Sequence, residues 1–284
     1  MSTAIVREEG RLLGPWVKAR NIAASRVGSI HDDDAARKLG FRGALVSGRV
    51  HLNTFVPLLI EAFGSGWFES GTLSQDFRYA TVDEEETRAV IGKPPAGGAE
   101  AQVDAFIELP DSRVVTIGSA SLGLPSEPTW LGRKDVGAYD QGPYNLVAAV
   151  TPGDQFPRVE VTVTPQAAER INVGSVMLPW YKDGSPWGPP VVSPGAMVGA
   201  LGAGCGAYLR DHRVQGVAID GATEIRNING PVFIERPYWA SGEIVARGQS
   251  PRTEYFWYDA WLDDESGRRI AEMRLQWRCV KGSA

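Results

Sequence analysis

Cysteine is nearly absent from this chain. The two present, Cys205 and Cys279, lie far apart. They make no disulfide framework, and a reducing compartment is the simpler reading. Histidine is scarce too, with three in all. No His, Cys, Asp or Glu group has the spacing of metal ligands, and no phosphate loop or dinucleotide fingerprint is present, so no metal or cofactor is expected. No stretch reaches the roughly 18 to 20 uninterrupted apolar residues that a membrane helix needs. There is no block of lysine and arginine, and the net charge is −5. Neither a membrane nor a nucleic acid is therefore an expected partner, because phosphate binding needs a basic surface. The opening MSTAIVREEG lacks the apolar run of a signal peptide. The expectation is a cytoplasmic protein.

What is present suits a packed globular chain. Of its 284 residues, 43% are hydrophobic and 22% charged, ordinary proportions for one large domain or two of common size. The central stretch runs from Ser29 to Phe63, SIHDDDAARKLGFRGALVSGRVHLNTFVPLLIEAF. The aspartates before AARKLG predict a short helix capped by Asp33 or Asp34 and stopped at Gly40. GFRGALVSG predicts a turn that feeds a helix over 49–63. That helix is apolar on nearly every side, hence buried on every side, and kinked by Pro57. GTLSQDFRYATV, ETRAVIG, EAQVDAFIELPD and RVVTIGSASLGL follow. They read as antiparallel strands, with a hairpin turn at PDS.

Residues 123–158 are rich in glycine and proline and lack periodicity, so they read as a linker over 126–158 between a half at 1–125 and a half at 159–284. The pattern then returns. PWGPPVVSPGAMVGALGAGCGAYL mirrors the first turn and helix at an offset of 146, which sets Ser193 on Ser47 and Val192 on Val46. Strands and a closing hairpin with the turn DDESG follow in the same order. Such self-similarity predicts two copies of one unit. The second helix carries Gly199, Gly202, Gly204 and Gly206. Each glycine costs roughly 1 kcal/mol against alanine, which predicts a close approach of a sheet or of the other helix.

One buried helix wrapped by an antiparallel sheet, twice over, is the tandem (double) hot-dog arrangement, an α+β fold. The residues resemble the MaoC-like family of R-specific enoyl-CoA hydratases and dehydratases. In SRVGSIHDDDAARKLGFRGALVSG, the residues Ile30, His31, Asp33, Ala36, Gly40, Gly43 and Gly48 stand where that family has them. The departure lies just upstream: Arg26 stands in the place of the family's catalytic Asp, Gly28 in that of its Asn and Ser29 in that of its Pro. The second half has no histidine in the matching stretch and reads as scaffold and pocket wall.

The resemblance implies His31 as acid/base. Asp32 and Asp33 are near in sequence and are the candidates to stand in for the family's Asp, with Asp33 the one taken as catalytic; a helix-capping role competes for the aspartates. It implies that the turn Ser47, Gly48 and Arg49 polarises a carbonyl through free N–H groups at the helix start. Arg26 adds a positive charge. His51, four residues after Ser47, could share its face and activate it, or could be a buried histidine satisfied by the backbone. Trp67, Phe77 and Tyr79 are candidates to line the pocket, with core packing as the other use. Cys205 reads as an inert core thiol and His212 as a surface residue at a helix end.

The expected function is a hydratase or dehydratase, a lyase acting on an α,β-unsaturated acyl thioester such as acyl-CoA, or a related carbonyl compound. Arg26 opens the way to modified chemistry: isomerisation, cyclisation or elimination on a substrate not tethered to coenzyme A. A hot-dog thioesterase and a non-catalytic binder of apolar ligands are the alternatives. The partner is a small-molecule substrate, and a homodimer or higher homo-oligomer is expected.

Overall fold

A computed structural model describes residues 4–94, 101–137, 142–214 and 216–282. The first half opens with the short strands β1 (Val6–Glu8), β2 (Arg11–Leu13) and β3 (Val17–Lys18), then α1 (Asp33–Lys38). The helical segment follows as α2 (Gly48–Leu52), a 3-10 turn (Asn53–Phe55), α3 (Val56–Phe63) and α4 (Trp67–Ser70). Strands β4 (Gly71–Phe77), β5 (Glu86–Gly92), β6 (Ala101–Glu108) and β7 (Val114–Leu122) wrap it. The second half has β8 (Val159–Thr162), α5 (Pro165–Asn172), α6 (Pro194–Leu201) and α7 (Ala203–Asp211). It ends with β9 (Ala218–Asn227), β10 (Pro237–Gln249), β11 (Thr253–Asp263) and β12 (Arg269–Val280).

The helix expected over 49–63 is thus one helical path with an irregular middle. Pro57 has no N–H to offer the carbonyl of Asn53, and that carbonyl accepts from Val56 instead, which tightens the path into a 3-10 turn. Val56, Leu58 and Leu59 are wholly buried, each worth roughly 1.5–3 kcal/mol relative to exposure. The first short helix is capped one residue earlier than expected: Asp32 accepts from the Ala35 N–H at 2.9 Å. The two serines aligned by the repeat, Ser47 and Ser193, both stand in extended backbone at the N-cap of their helices.

The strands form one antiparallel sheet in the order β1-β2-β5-β6-β7-β4-β9-β12-β11-β10-β8, with β3 on β5. Its two halves meet at β4 and β9, where Asp76 pairs with Ala222 and Thr72 with Arg226. Strand β10 alternates buried and half-buried residues almost throughout, as one covered face requires. By contrast β4 is buried on both faces. Its outer side is covered by the stretch read as a linker, where Leu131 donates its N–H to Ser74 Oγ at 3.0 Å. Further on, the buried Glu254 of β11 accepts the N–H groups of Asn145, Leu146 and Val147.

One hydrophobic core runs through both halves, from Leu59 and Leu73 to Leu201 and Leu275. The glycine-rich helix is what allows this. A Cβ at Gly195 of α6 would lie 2.4 Å from the carbonyl oxygen of Arg49. Asn53 locks the contact: its Oδ1 accepts from the Gly195 N–H at 2.7 Å and its Nδ2 donates to Asn172 Oδ1 at 2.9 Å. The helix–helix approach across the two halves is made at Gly195, ahead of the glycines expected to make it; of those, Gly199 faces the Arg49 side chain and Gly204 lies against Pro157 and Phe156.

Candidate functional site

His31 ends the loop before α1. The Leu45 N–H donates to the carbonyl of Ile30 at 2.9 Å, pinning this loop to the turn before α2. The ring follows: Nδ1 lies 2.7 Å from the Leu45 carbonyl oxygen. A carbonyl only accepts, so Nδ1 carries the proton, and in the neutral ring Nε2 keeps a free lone pair. Burial holds the imidazole below its ordinary pKa, the Leu45 bond acts in the opposite sense, and the charges of Arg26 and Arg49 lower it further.

The ring lines a cavity of about 880 Å³ at the seam between the halves. Arg26, Ser47, Gly48, Arg49, His51, Phe77 and Tyr79 line it too, so the structure gathers most of the expected residues around His31. Ser47 makes no capping hydrogen bond, and among the described residues the N–H groups of Gly48 and Arg49 have no backbone acceptor. The first turn of α2 therefore presents open donors. Glycine at position 48 leaves room for the Phe77 ring, which would lie 2.7 Å from a Cβ there. Tyr79 is held between the guanidinium groups of Arg42 and Arg113, and its hydroxyl accepts from Arg113 Nη1 at 2.6 Å.

Two expected residues lie elsewhere. Asp33 is exposed on α1, where its carboxylate accepts from Arg37 Nε at 2.8 Å and the Ala44 N–H at 3.0 Å. These bonds hold its pKa low and fasten the glycine turn to the helix. Asp33 is outside the cavity because the first turn of α1 points it away. Trp67 packs edge-on against Phe68 and against the start of β4, wholly buried. It belongs to the core beneath the helices and does not line the cavity.

His51 lines the cavity, but its partner is Thr81, with Nε2 2.7 Å from Oγ1. No Ser47–His51 hydrogen bond forms among the described residues. Burial pushes His51 down to about 4, with Glu85 acting weakly the other way. The neutral form is therefore the folded form. The resulting stabilisation is whole above the ordinary value of 6.5 and is lost as pH falls from 6.5 towards 4. A shift of this size corresponds to about 3 kcal/mol. Chemical denaturation across that range should show wild type losing about this much relative to His51→Gln; equal losses in the two proteins would contradict it.

The second half forms part of the cavity wall. Asp220 of β9, Cys205 and Arg210 of α7, Tyr258 of β11 and Arg278 of β12 also line the cavity. Cys205 is buried and hydrogen-bonded to Tyr258, and its thiol is pushed well up by burial, as an inert core thiol should be. His212 is exposed at the end of α7, stacked on Tyr208. The position 146 residues beyond His31 is the exposed Met177, so the second half has no matching histidine. The signal for Asp220 was an Asp-Gly pair opening a strand of otherwise regular alternation. Among the described residues no cluster of His, Cys, Asp and Glu could hold a metal, and no helix is long and apolar enough to cross a membrane.

No family model matches this sequence, and no curated relative matches it. Solved structures do match in fold. A MaoC-domain dehydratase from Chloroflexus aurantiacus superposes with a TM-score of 0.58 at 13% identity, covering 94% of this chain and 95% of its own. A Mycobacterium tuberculosis protein with a double hot-dog fold gives 0.56 at 14%, covering 94% of each chain. The tesB protein of Mycobacterium avium subspecies paratuberculosis gives 0.51 at 8%, covering 97% and 95%. The chain has the double hot-dog fold.

Proposed function

We propose that this protein is a lyase of the hydratase or dehydratase kind, acting on an α,β-unsaturated acyl thioester or a related carbonyl compound. One observation carries the reading. The Nδ1–H of His31 is committed to Leu45, which leaves Nε2 as a base in the same cavity as the uncapped first turn of α2. A carbonyl oxygen held by the N–H groups of Gly48 and Arg49 gains the stabilisation that an enolate-like charge needs as it develops. Its α-carbon is then the atom on which His31 acts, taking a proton in elimination and returning one in hydration. Arg49, half-buried beside the turn, adds positive charge on the same side. Arg26 lines the mouth of the cavity and favours a substrate with anionic character.

The test is hydration of crotonyl-CoA and of a longer enoyl-CoA, read as loss of enoyl absorbance with a thiol reagent present. The expected result is loss of absorbance without free thiol. Release of free thiol would replace this reading with a thioesterase. A ligand held and returned unchanged, with neither signal, would replace it with a binding protein.

A further inference from the structure

Reversible water addition needs two proton-transfer groups, one for the carbon and one for the oxygen. His31 supplies one, and the structure places Asp33 outside the cavity. We infer, resting on the lyase reading above, that Asp220 of the second half is the acid that protonates the departing hydroxyl group.

A defect in the sheet aims Asp220 at this cavity. In β9, Ala222 pairs with Gln276 of β12, but Asp220 pairs with the next residue, Trp277. Gly221 is therefore the extra residue of a β-bulge. In a regular strand, Asp220 would share the face of Ala222. That face is the outer one, packed on Leu131 and Trp257. The bulge reverses the parity and Asp220 lines the cavity instead. Glycine at the bulge leaves room for two side chains: a Cβ would lie 2.3 Å from Arg278 Nε and 2.4 Å from Gln276 Oε1, two groups hydrogen-bonded to each other at 2.7 Å, and would push them aside.

The carboxyl group of Asp220 has no hydrogen bond and no ion pair among the described residues. The cavity it lines carries charged and titratable groups from both halves, His31, Arg49, His51, Arg26, Arg78 and Tyr79 from the first and Cys205, Arg210, Tyr258 and Arg278 from the second, and of these Arg49 and Tyr258 feel the charge of Asp220. Arg49 likewise makes no ion pair among the described residues, so the guanidinium and the Asp220 carboxyl group line one cavity without closing on each other. Burial raises the pKa of Asp220, with the attraction of Arg49 acting the other way, while burial lowers that of His31. Environments that push two groups in opposite directions set up one base and one acid.

In the dehydration direction the α-C–H bond breaks and its proton passes to His31 Nε2. That electron pair forms the double bond as the β-C–O bond breaks, and the oxygen leaves as water with the proton of Asp220. Exchange with solvent water takes the proton from His31 and restores that of Asp220. Hydration is the reverse.

The experiment compares wild type, Asp220→Asn and Asp220→Glu in dehydration of a 3-hydroxyacyl-CoA across pH. Asp220→Asn should lose about 10²–10⁴-fold in kcat with little change in KM. It should also lose the alkaline limb of the profile, and Asp220→Glu should recover part of both. An unchanged rate and profile in Asp220→Asn overturns the role of Asp220 and leaves the lyase reading standing. Wild type inert on hydroxyacyl and enoyl substrates alike overturns the lyase reading, and this role with it. If Asp220→Asn does not fold, infrared spectra of wild type and Asp220→Glu decide. A protonated carboxyl band that persists above the ordinary carboxylate range and moves in the Glu variant supports the role; a fully ionised group there overturns it.

Discussion

His31→Ala is expected to lower turnover by about 10²–10⁴-fold, the usual contribution of a positioned acid or base, while the protein stays folded. The ring makes one hydrogen bond, to a carbonyl that lies at the cavity wall, and losing such a bond costs about 1 kcal/mol. The bridge from Leu45 to Ile30 is between backbone groups and survives the change. His31→Gln sharpens the test. Its amide can still donate to the Leu45 carbonyl but offers no basic lone pair near neutral pH, so it should restore stability and not rate. The pH profile gives a second check. The base must be neutral, so dehydration fails as pH falls through the pKa of His31. Because that pKa is lowered, the acid limb should lie below the ordinary value of 6.5. Full turnover in His31→Ala would remove the histidine from the mechanism.

Gly195→Val should be the most destabilising single change near the site. The first added carbon would stand 2.4 Å from the Arg49 carbonyl oxygen and 3.0 Å from Asn53 Oδ1. Backbone cannot yield as a flexible side chain can, so α2 and α6 must separate. Overpacking of this kind costs about 1–3 kcal/mol, at times more, and loss of the Asn53 bond to Gly195 adds about 1 kcal/mol. A loss of about 2–4 kcal/mol is expected in denaturant titrations. The contrast is Gly206→Ala in α7, where an added Cβ would meet only the end of the Arg210 side chain, at 3.6 Å. There the gain in helix propensity, up to about 1 kcal/mol, should appear as stabilisation. Similar behaviour of the two variants would mean that the glycines of the second helix are not there for contact between the halves.

The sequence by itself determined whatever depends on local pattern. Apolarity marked the helical path as buried, which holds on every side for Val50–Val56 but on one face only for α3, where Glu61 is exposed and Ile60 and Phe63 are half-buried; alternation marked the strands, and the 146-residue echo of Ser47 at Ser193 marked two copies of one unit. That His31 and the glycine turn sit close together was legible for the same reason: they lie within one short stretch of chain. Tertiary structure alone decided the rest. Asp33 and His31 are two residues apart, yet the phase of α1 turns one to solvent while the Leu45 carbonyl holds the other in the cavity. Trp67 went to the core because α4 presses it on the start of β4. Asp220 is 189 positions beyond His31 in the chain. It reaches the same cavity because β4 and β9 pair across the seam and because one extra residue, Gly221, reverses the face of its strand. A period of two can be read from letters, but a bulge that shifts it is set by the partner strand, and local sequence carries little information about that partner.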